Sequence, residues 1–164
     1  MSVTLSYATN LTVQEVLVTN VPAAAATGKT ITHNGYNSSA SLTSATTPPV
    51  TQCAFFEQAL TAGAASIDLT ALPGTNGATV DGSGLKVQAI KIKAKSTNAN
   101  VITVTVGDTN GYALAGAGFS VALLPGQEFV FYGNEATPDV GADAKTLDLD
   151  GTGEQSVEVS VVVG

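Results

Sequence analysis

The alternation of apolar and polar residues is the feature of this sequence that most constrains its fold. Near the end of the chain Val157, Val159 and Val161 alternate with Glu158 and Ser160. A period of two places successive side chains on opposite faces of a β-strand, so this segment predicts a strand with one buried face. Segments with this pattern, or an aromatic variant of it, occupy residues 90–95, 101–106, 119–124, 127–132 and 155–163. Helical spacing does not extend over any window of about eleven residues.

Turn-forming residue pairs separate these segments. They are Pro73-Gly74, Asn76-Gly77, Asp81-Gly82, Asn110-Gly111, Pro125-Gly126 and Asp150-Gly151. Short strands joined by glycine-containing turns are typical of antiparallel sandwiches, jelly rolls and open barrels. A parallel α/β fold would need crossover helices of about ten residues or more, and only residues 23–26 have a helical composition. We therefore predict an all-β protein whose core is an antiparallel β-sandwich, jelly-roll-like.

The alternation changes phase in the middle of the chain. Apolar residues occupy odd positions up to Ala89 and even positions from Ile90 onward. A shift of one residue predicts a β-bulge, or a strand that crosses between sheets at a corner. Opposite the apolar positions lie Lys91, Lys93 and Lys95, which we interpret as a solvated stripe that guards an edge strand against unwanted pairing. A binding role for these lysines is the alternative.

The chain is long enough for one domain with a hydrophobic core, because it has 164 residues. Residues 50–164 contain the predicted sandwich core. Residues 1–49 contain predicted strands at 2–7 and 11–18 and a polar stretch that closes on Pro48-Pro49. Two consecutive prolines impose an extended backbone. Residues 1–49 are therefore either the first strands of the same sandwich or an extended arm that reaches a neighbouring molecule, and the sequence leaves both open.

The charge balance argues against nucleic acid as a partner. Thirteen acidic residues against six lysines, with no arginine, give a net charge of −7. This is the wrong sign for a phosphate backbone, and arginine is the residue best suited to forked phosphate contacts. The same argument disfavours an anionic membrane surface.

The sequence predicts neither membrane insertion nor secretion. Residues 109–127 are uncharged, but Asn110, Pro125 and several glycines interrupt them. A spanning helix needs about 20 apolar residues, so we expect no membrane partner. Residues 1–5 contain no basic residue and no continuous apolar run, which predicts synthesis in a cytoplasm without a secretory signal.

Three features could suggest chemistry, and each has a simpler interpretation. Residues 23–30 (AAAATGKT) approximate a phosphate-binding loop but lack its first glycine, and the residues from Ile31 onward cannot start the helix that such a loop requires. His33 is the only histidine, which excludes a metal site made of several imidazoles. We interpret it as a residue of a polar loop. Cys53 is the only cysteine, and we interpret it as a small buried hydrophobe.

Two acidic clusters could offer oxygen ligands to Ca²⁺, namely Asp148, Asp150 and Glu154 in one and Asp108 with Asn110 in the other. Neither has the spacing of a calcium-binding loop, and both are interpreted as hairpin turns. A sugar site could use Tyr112 and Tyr132 beside Asp108 and Asp148, but the chain has no tryptophan and few other aromatic residues. We predict no catalytic residue, no cofactor and no metal site.

Three segments carry a resemblance to a known class of protein. They are residues 101–106 (VITVTV), 123–128 (LLPGQE) and 157–164 (VEVSVVVG). The layout is a strand, an L-x-P-G turn, an aromatic strand and a terminal valine-rich strand. This layout, in a small chain rich in alanine, glycine and threonine, resembles the capsid decoration, or cement, proteins of tailed bacteriophages. The resemblance covers about the second half of the chain.

The resemblance implies a non-enzymatic homotrimer on the exterior of a virion, made in the host cytoplasm. Its partner would be the major capsid protein, whose junctions it covers and stabilises. Contacts would come from the arm up to Pro49, from residues 129–132 and from the loop 134–145. For the loop, a plain solvated connection is the simpler interpretation, and for residues 129–132 a place in the core is the simpler one. Two alternatives remain, a component of a phage tail or fibre and a carbohydrate-binding surface module.

Overall fold

The computed structural model describes residues 2–17, 29–33, 35 and 37–164, and all regular elements among them are β-strands. The chain divides into two compact units, residues 5–41 and residues 1–4 together with 42–164. Among the described residues, no helix is long and apolar enough to cross a bilayer. Residues 23–26, whose composition is helical, lie outside the described residues.

The first four strands form two small sheets. They are β1 (Leu5–Thr9), β2 (Val13–Leu17), β3 (Lys29–His33) and β4 (Ser38–Leu42). β1 pairs with β4, and β2 pairs with β3 in antiparallel register. The predicted strands at 2–7 and 11–18 overlap β1 and β2. Whether this segment acts as an arm stays a prediction.

Ten strands follow in the larger unit: β5 (Gln52–Ala59), β6 (Ala64–Asp68), β7 (Leu72–Pro73), β8 (Thr79–Val80), β9 (Val87–Ala94), β10 (Ile102–Val106), β11 (Ser120–Leu123), β12 (Glu128–Tyr132), β13 (Thr146–Asp150) and β14 (Ser156–Val163). One sheet has the order β12-β9-β14-β5 and a second has the order β11-β10-β13-β6. All neighbours in both sheets are antiparallel. The prediction of an all-β antiparallel sandwich is confirmed.

The inner faces of the two sheets share one hydrophobic core. Ile92 and Val159 from the first sheet and Val104 and Leu149 from the second are almost fully buried in the same cluster. Each of these residues alternates with a polar residue on the outer face of its strand. The period of two in the sequence therefore reports directly which side of each sheet is buried.

A bulge in β9 accounts for the change of phase in the alternation. β14 pairs Val162 with Ala89 but Val163 with Val87, which leaves Gln88 as the extra residue. The predicted β-bulge is thus confirmed.

The interpretation of Lys91, Lys93 and Lys95 as guards of an edge strand is wrong. β9 lies between β12 and β14, so it is an inner strand of the first sheet. Alternation indicates which face of a strand is solvated, but the position of a strand within a sheet depends on partners that are distant in the sequence.

Candidate interaction surface

The outer side of the first sheet carries both charged and exposed apolar side chains. We call it the Lys/Glu face. It consists of Cys53, Phe55, Glu57, Ala89, Lys91, Lys93, Glu128, Val130, Tyr132, Glu158, Ser160 and Val162. Register aligns these side chains in rows that run across all four strands.

Short ion pairs connect strands of this sheet. Lys91 Nζ lies 2.8 Å from Glu128 Oε2, and Lys95 Nζ donates to Glu57 Oε2 at 2.7 Å. The hydrogen bond from Lys95, with a second one from Ser156, holds the pKa of Glu57 below its usual value. The hydrogen bond from Lys91 lowers the pKa of Glu128 in the same way. Both carboxylates therefore stay ionised at neutral pH.

The Lys/Glu face carries no net charge. A third, longer contact of 3.8 Å joins Lys93 to Glu158. Three lysines, counting Lys95 directly after β9, therefore balance three glutamates. The whole chain has a net charge of −7. The excess of negative charge consequently lies on other parts of the molecule.

Apolar side chains are exposed at both ends of one row of this face. The register aligns Val130 with Lys91, Lys91 with Ser160, and Ser160 with Phe55. Val130 is 51% exposed and Phe55 is 54% exposed. An exposed aromatic ring beside an exposed valine offers apolar contact area to a partner.

The outer side of the second sheet has a different chemistry. We call it the Thr/Asp face. It consists of Ala64, Ser66, Asp68, Thr103, Thr105, Ser120, Ala122, Thr146, Asp148 and Asp150. These side chains are short, and no large apolar side chain is exposed among them.

Asp68 is the most strongly held carboxylate of the Thr/Asp face. It accepts hydrogen bonds from Lys145 Nζ at 2.7 Å and from the backbone and hydroxyl of Thr70 at 2.9 and 2.6 Å. Burial alone would raise the pKa of Asp68, but the bonds from Lys145 and Thr70 outweigh burial and lower it. Through these hydrogen bonds, Asp68 connects the loop after β6 to the segment before β13.

The structure brings together only part of the residues considered for a sugar site. Asp148 Oδ2 accepts from the backbone N–H of Asp108 at 2.8 Å, so the two acidic clusters meet there. Tyr112 is fully buried, its hydroxyl donates to the Pro138 carbonyl at 2.7 Å, and burial raises its pKa. Tyr132 belongs to the Lys/Glu face, on the other sheet. These side chains do not form one site.

Asp148 and Asp150 lie within the strand β13, so their interpretation as part of a hairpin turn is wrong, and Glu154 lies in the loop that follows this strand. Leu147 and Leu149 are buried in the core, while Asp148 and Asp150 point outward from β13. Among the described residues, no group of three or more His, Cys, Asp and Glu side chains could hold a metal ion.

The other features that suggested chemistry are His33, the segment 23–30 and Cys53. His33 is exposed and ends β3, a strand, where a polar loop was expected. The segment 29–33 is extended, whereas a phosphate-binding loop would be followed by a helix, and residues 23–28 lie outside the described residues. Cys53 is half-buried on the Lys/Glu face, so its interpretation as a buried core residue is wrong.

The loop 134–145 is anchored to the sandwich rather than merely solvated. Thr137 Oγ1 donates to the Val87 carbonyl at 3.0 Å, and Lys86 Nζ donates to the Thr137 carbonyl at 2.9 Å. Val140 is buried, and its N–H donates to the Leu85 carbonyl at 2.7 Å. This anchoring was not predicted, although Val140 is an apolar residue within a polar loop and was a signal for it.

The aromatic strand β12 divides its side chains between the core and the surface. Phe129 and Phe131 pack against the core and stack on each other at 6.2 Å, and Phe119 lies 5.4 Å from Phe129. Val130 points outward. Val130 and Tyr132 both lie on the Lys/Glu face, so of residues 129–132 these two side chains and the backbone are available for a surface contact.

Comparisons with protein-family models, with curated proteins and with solved structures find no match to this chain.

Proposed function

We propose that this chain is a non-enzymatic structural protein of a virion, a capsid decoration protein that binds and stabilises a shell of major capsid protein. The observation that carries the proposal is the order of the eight long strands in the core. We number these eight strands, β5, β6 and β9 to β14, from 1 to 8 along the chain. Their order is then 6-3-8-1 in the first sheet and 5-4-7-2 in the second. A jelly roll has eight antiparallel strands in two sheets, and viral capsid domains are among the proteins that use it.

The surface chemistry supports a role in contact. On a shell, symmetry repeats one modest interface many times, so each copy needs only a small area with well-placed anchors. Phe55 supplies an exposed ring on the Lys/Glu face. We assign Phe55 as the main anchor on the capsid protein, because exposed aromatic residues are enriched among residues that dominate binding energy.

Two reactive side chains are held in structural contacts, which fits the proposed non-enzymatic role. The Tyr112 hydroxyl is used within the core and the Asp68 carboxylate within an ion pair. A catalytic set needs a nucleophile or acid held beside a base and open to substrate. Neither of these groups has that arrangement.

A binding experiment tests the proposal. Purified protein is mixed with tailed-phage capsids from which decoration proteins have been removed, and bound mass is measured by co-sedimentation. Phe55→Ser is the test variant, and Leu124→Ser is the matched control because Leu124 is 56% exposed outside the Lys/Glu face. We expect saturable binding that F55S weakens about tenfold or more and L124S leaves unchanged.

Other outcomes would redirect the proposal. Failure to bind any shell, with both variants folded, would contradict it. Open-ended polymers in light scattering would favour a tail or fibre component, and retention on a glycan array would favour a carbohydrate-binding module, since lectins also use the jelly roll. The same light-scattering run tests the homotrimer that the resemblance implies.

A further inference from the structure

The strand β12 lies at an edge of the first sheet. Two hydrogen bonds to its neighbour β9 define how its backbone is oriented. The N–H of Ala94 donates to the Gln127 carbonyl at 2.9 Å, and the N–H of Gly133 donates to the Gln88 carbonyl at 2.8 Å. Antiparallel strands bond through alternate residues, so residues 127, 129, 131 and 133 face β9.

Residues 128 and 130 consequently direct their N–H and C=O groups away from the sheet. Among the described residues, no backbone or side-chain group forms a hydrogen bond with the backbone of Glu128 or Val130. An edge with unpaired backbone groups is a template for a strand from another chain, and proteins usually protect it with lysine, proline or a bulge. Between residues 128 and 132 there is no lysine, proline or bulge, and the one charged side chain, Glu128, is already paired with Lys91 of β9.

Other edges of the sandwich are less suited to pairing. The edge of β5 is flanked by the β7–β8 hairpin, where Gln52 Nε2 donates to the Asp81 carbonyl at 3.0 Å. On β6, the backbone of Ala64 bonds to Thr61, and the carbonyl of Asp68 accepts from Ala71. β11 is a shorter edge strand with small outward side chains.

We propose that β12 pairs with β12 of a second copy of this chain, antiparallel about a two-fold axis at Phe129. In this register Glu128 of each copy lies opposite Val130 of the other. Every outward N–H and C=O group of both residues then gains a partner. Phe129 meets Phe129 of the second copy on the inner side, where aromatic cross-strand pairs are favourable.

The charges of the Lys/Glu face favour a second copy as the occupant of this edge. The register places a neutral residue, Val130, opposite each Glu128, so that no like charges face each other. Glu128 is already paired with Lys91, and its pKa is lowered also by the charge of Lys93. Two copies of a chain with a net charge of −7 repel each other, and repulsion is smallest where the contact surface is neutral.

Opposite charges introduced at residue 130 test the register. Val130→Glu places a carboxylate opposite Glu128 of the second copy, whereas Val130→Lys places an ammonium group there. Val130 is half exposed, and circular dichroism verifies that both variants fold. In sedimentation across a range of concentrations, we expect the wild type to show a reversible doubling of mass. V130E should weaken that association about tenfold or more, and V130K should retain it.

Disulfide trapping gives a second measurement in a Cys53→Ser background. Residues that face each other in a hydrogen-bonded pair have Cα atoms about 5.5 Å apart, which a disulfide can bridge, but diagonal residues are about 7–8 Å apart. Under mild oxidation, a mixture of the Glu128→Cys and Val130→Cys proteins should give a crosslinked dimer. V130C alone should give little.

Three results would overturn the pairing. They are a mass that stays at that of one chain at all concentrations, association that V130E leaves intact, and crosslinking by V130C alone, which would place the axis at Val130. None of these bears on shell binding, which F55S tests on a different strand. The inference does not rest on the proposed function, and either can fail without the other.

Discussion

The two outer faces of the sandwich cover one core and differ in what they offer a partner. The Lys/Glu face has long charged side chains in balanced pairs and exposes Phe55 and Val130. The Thr/Asp face has short hydroxyls and carboxylates, and it exposes no large apolar side chain. Both faces arise from the same alternation, so the pattern that builds the sandwich leaves the outward positions free to differ. Selection for a partner can act on those positions without altering the core.

The largest loss of stability is expected from substitutions in the core, and these test whether the two sheets unfold as one unit. Ile92→Ala removes a buried side chain beneath the Lys/Glu face, and Val104→Ala removes one beneath the Thr/Asp face. We expect I92A to lower the free energy of unfolding by about 3 kcal/mol and V104A by about 2 kcal/mol, through lost burial and residual cavities. Urea unfolding followed by circular dichroism and by tyrosine fluorescence should give coincident single transitions in both variants. Two separate transitions would show that the sheets unfold independently.

A smaller loss of stability is expected when the hydrogen-bonded carboxylate of Asp68, on the Thr/Asp face, is replaced. Asp68→Asn removes the charge that accepts from Lys145 and Thr70. Asp68 is 35% exposed, so solvent screens the ion pair and we expect a loss of only about 1 kcal/mol at pH 7. Asp148→Asn, on the same face, is a control whose only hydrogen bond to the described residues is from the backbone of Asp108.

The pH dependence of stability gives the same prediction a second readout. The pKa of Asp68 is lower in the folded chain than its usual value. Its contribution is therefore present above the unfolded pKa of about 4 and is lost as pH falls through the folded pKa. We expect the difference between wild type and D68N to shrink from pH 7 toward pH 3. A constant difference would mean that lost packing, not the charge, causes the destabilisation.

The sequence predicted the elements that alternate clearly and did not predict how they assemble. Its strands at 90–95, 101–106 and 155–163 overlap β9, β10 and β14, because there every second residue is apolar. It missed β5, where Phe55 is exposed between the inward-facing Ala54 and Phe56, so that both faces are apolar. It missed β13, where two outward aspartates suggested a ligand cluster although Leu147 and Leu149 alternate with them.

The candidate surface depended on pairing between distant segments, which local patterns do not contain. Lys91 reaches Glu128 and Lys95 reaches Glu57 only because β9, β12, β14 and β5 lie in one sheet. The sequence identified the lysines as a solvated stripe, but it could not say that glutamates from flanking strands neutralise them. The same limit explains why β9 was mistaken for an edge and the unprotected edge of β12 was missed.

The smallest change in stability is expected from Glu158, on the Lys/Glu face. Glu158→Gln keeps the shape of a side chain that is 55% exposed and lies 3.8 Å from Lys93. Exposed pairs at this distance contribute little, so we expect a change within about 0.5 kcal/mol in urea unfolding, below the loss in D68N. A loss as large as that of D68N would mean that the three ion pairs of the Lys/Glu face act as one network. That face would then be a stabilising element of the sandwich, and its neutrality would need no partner to explain it.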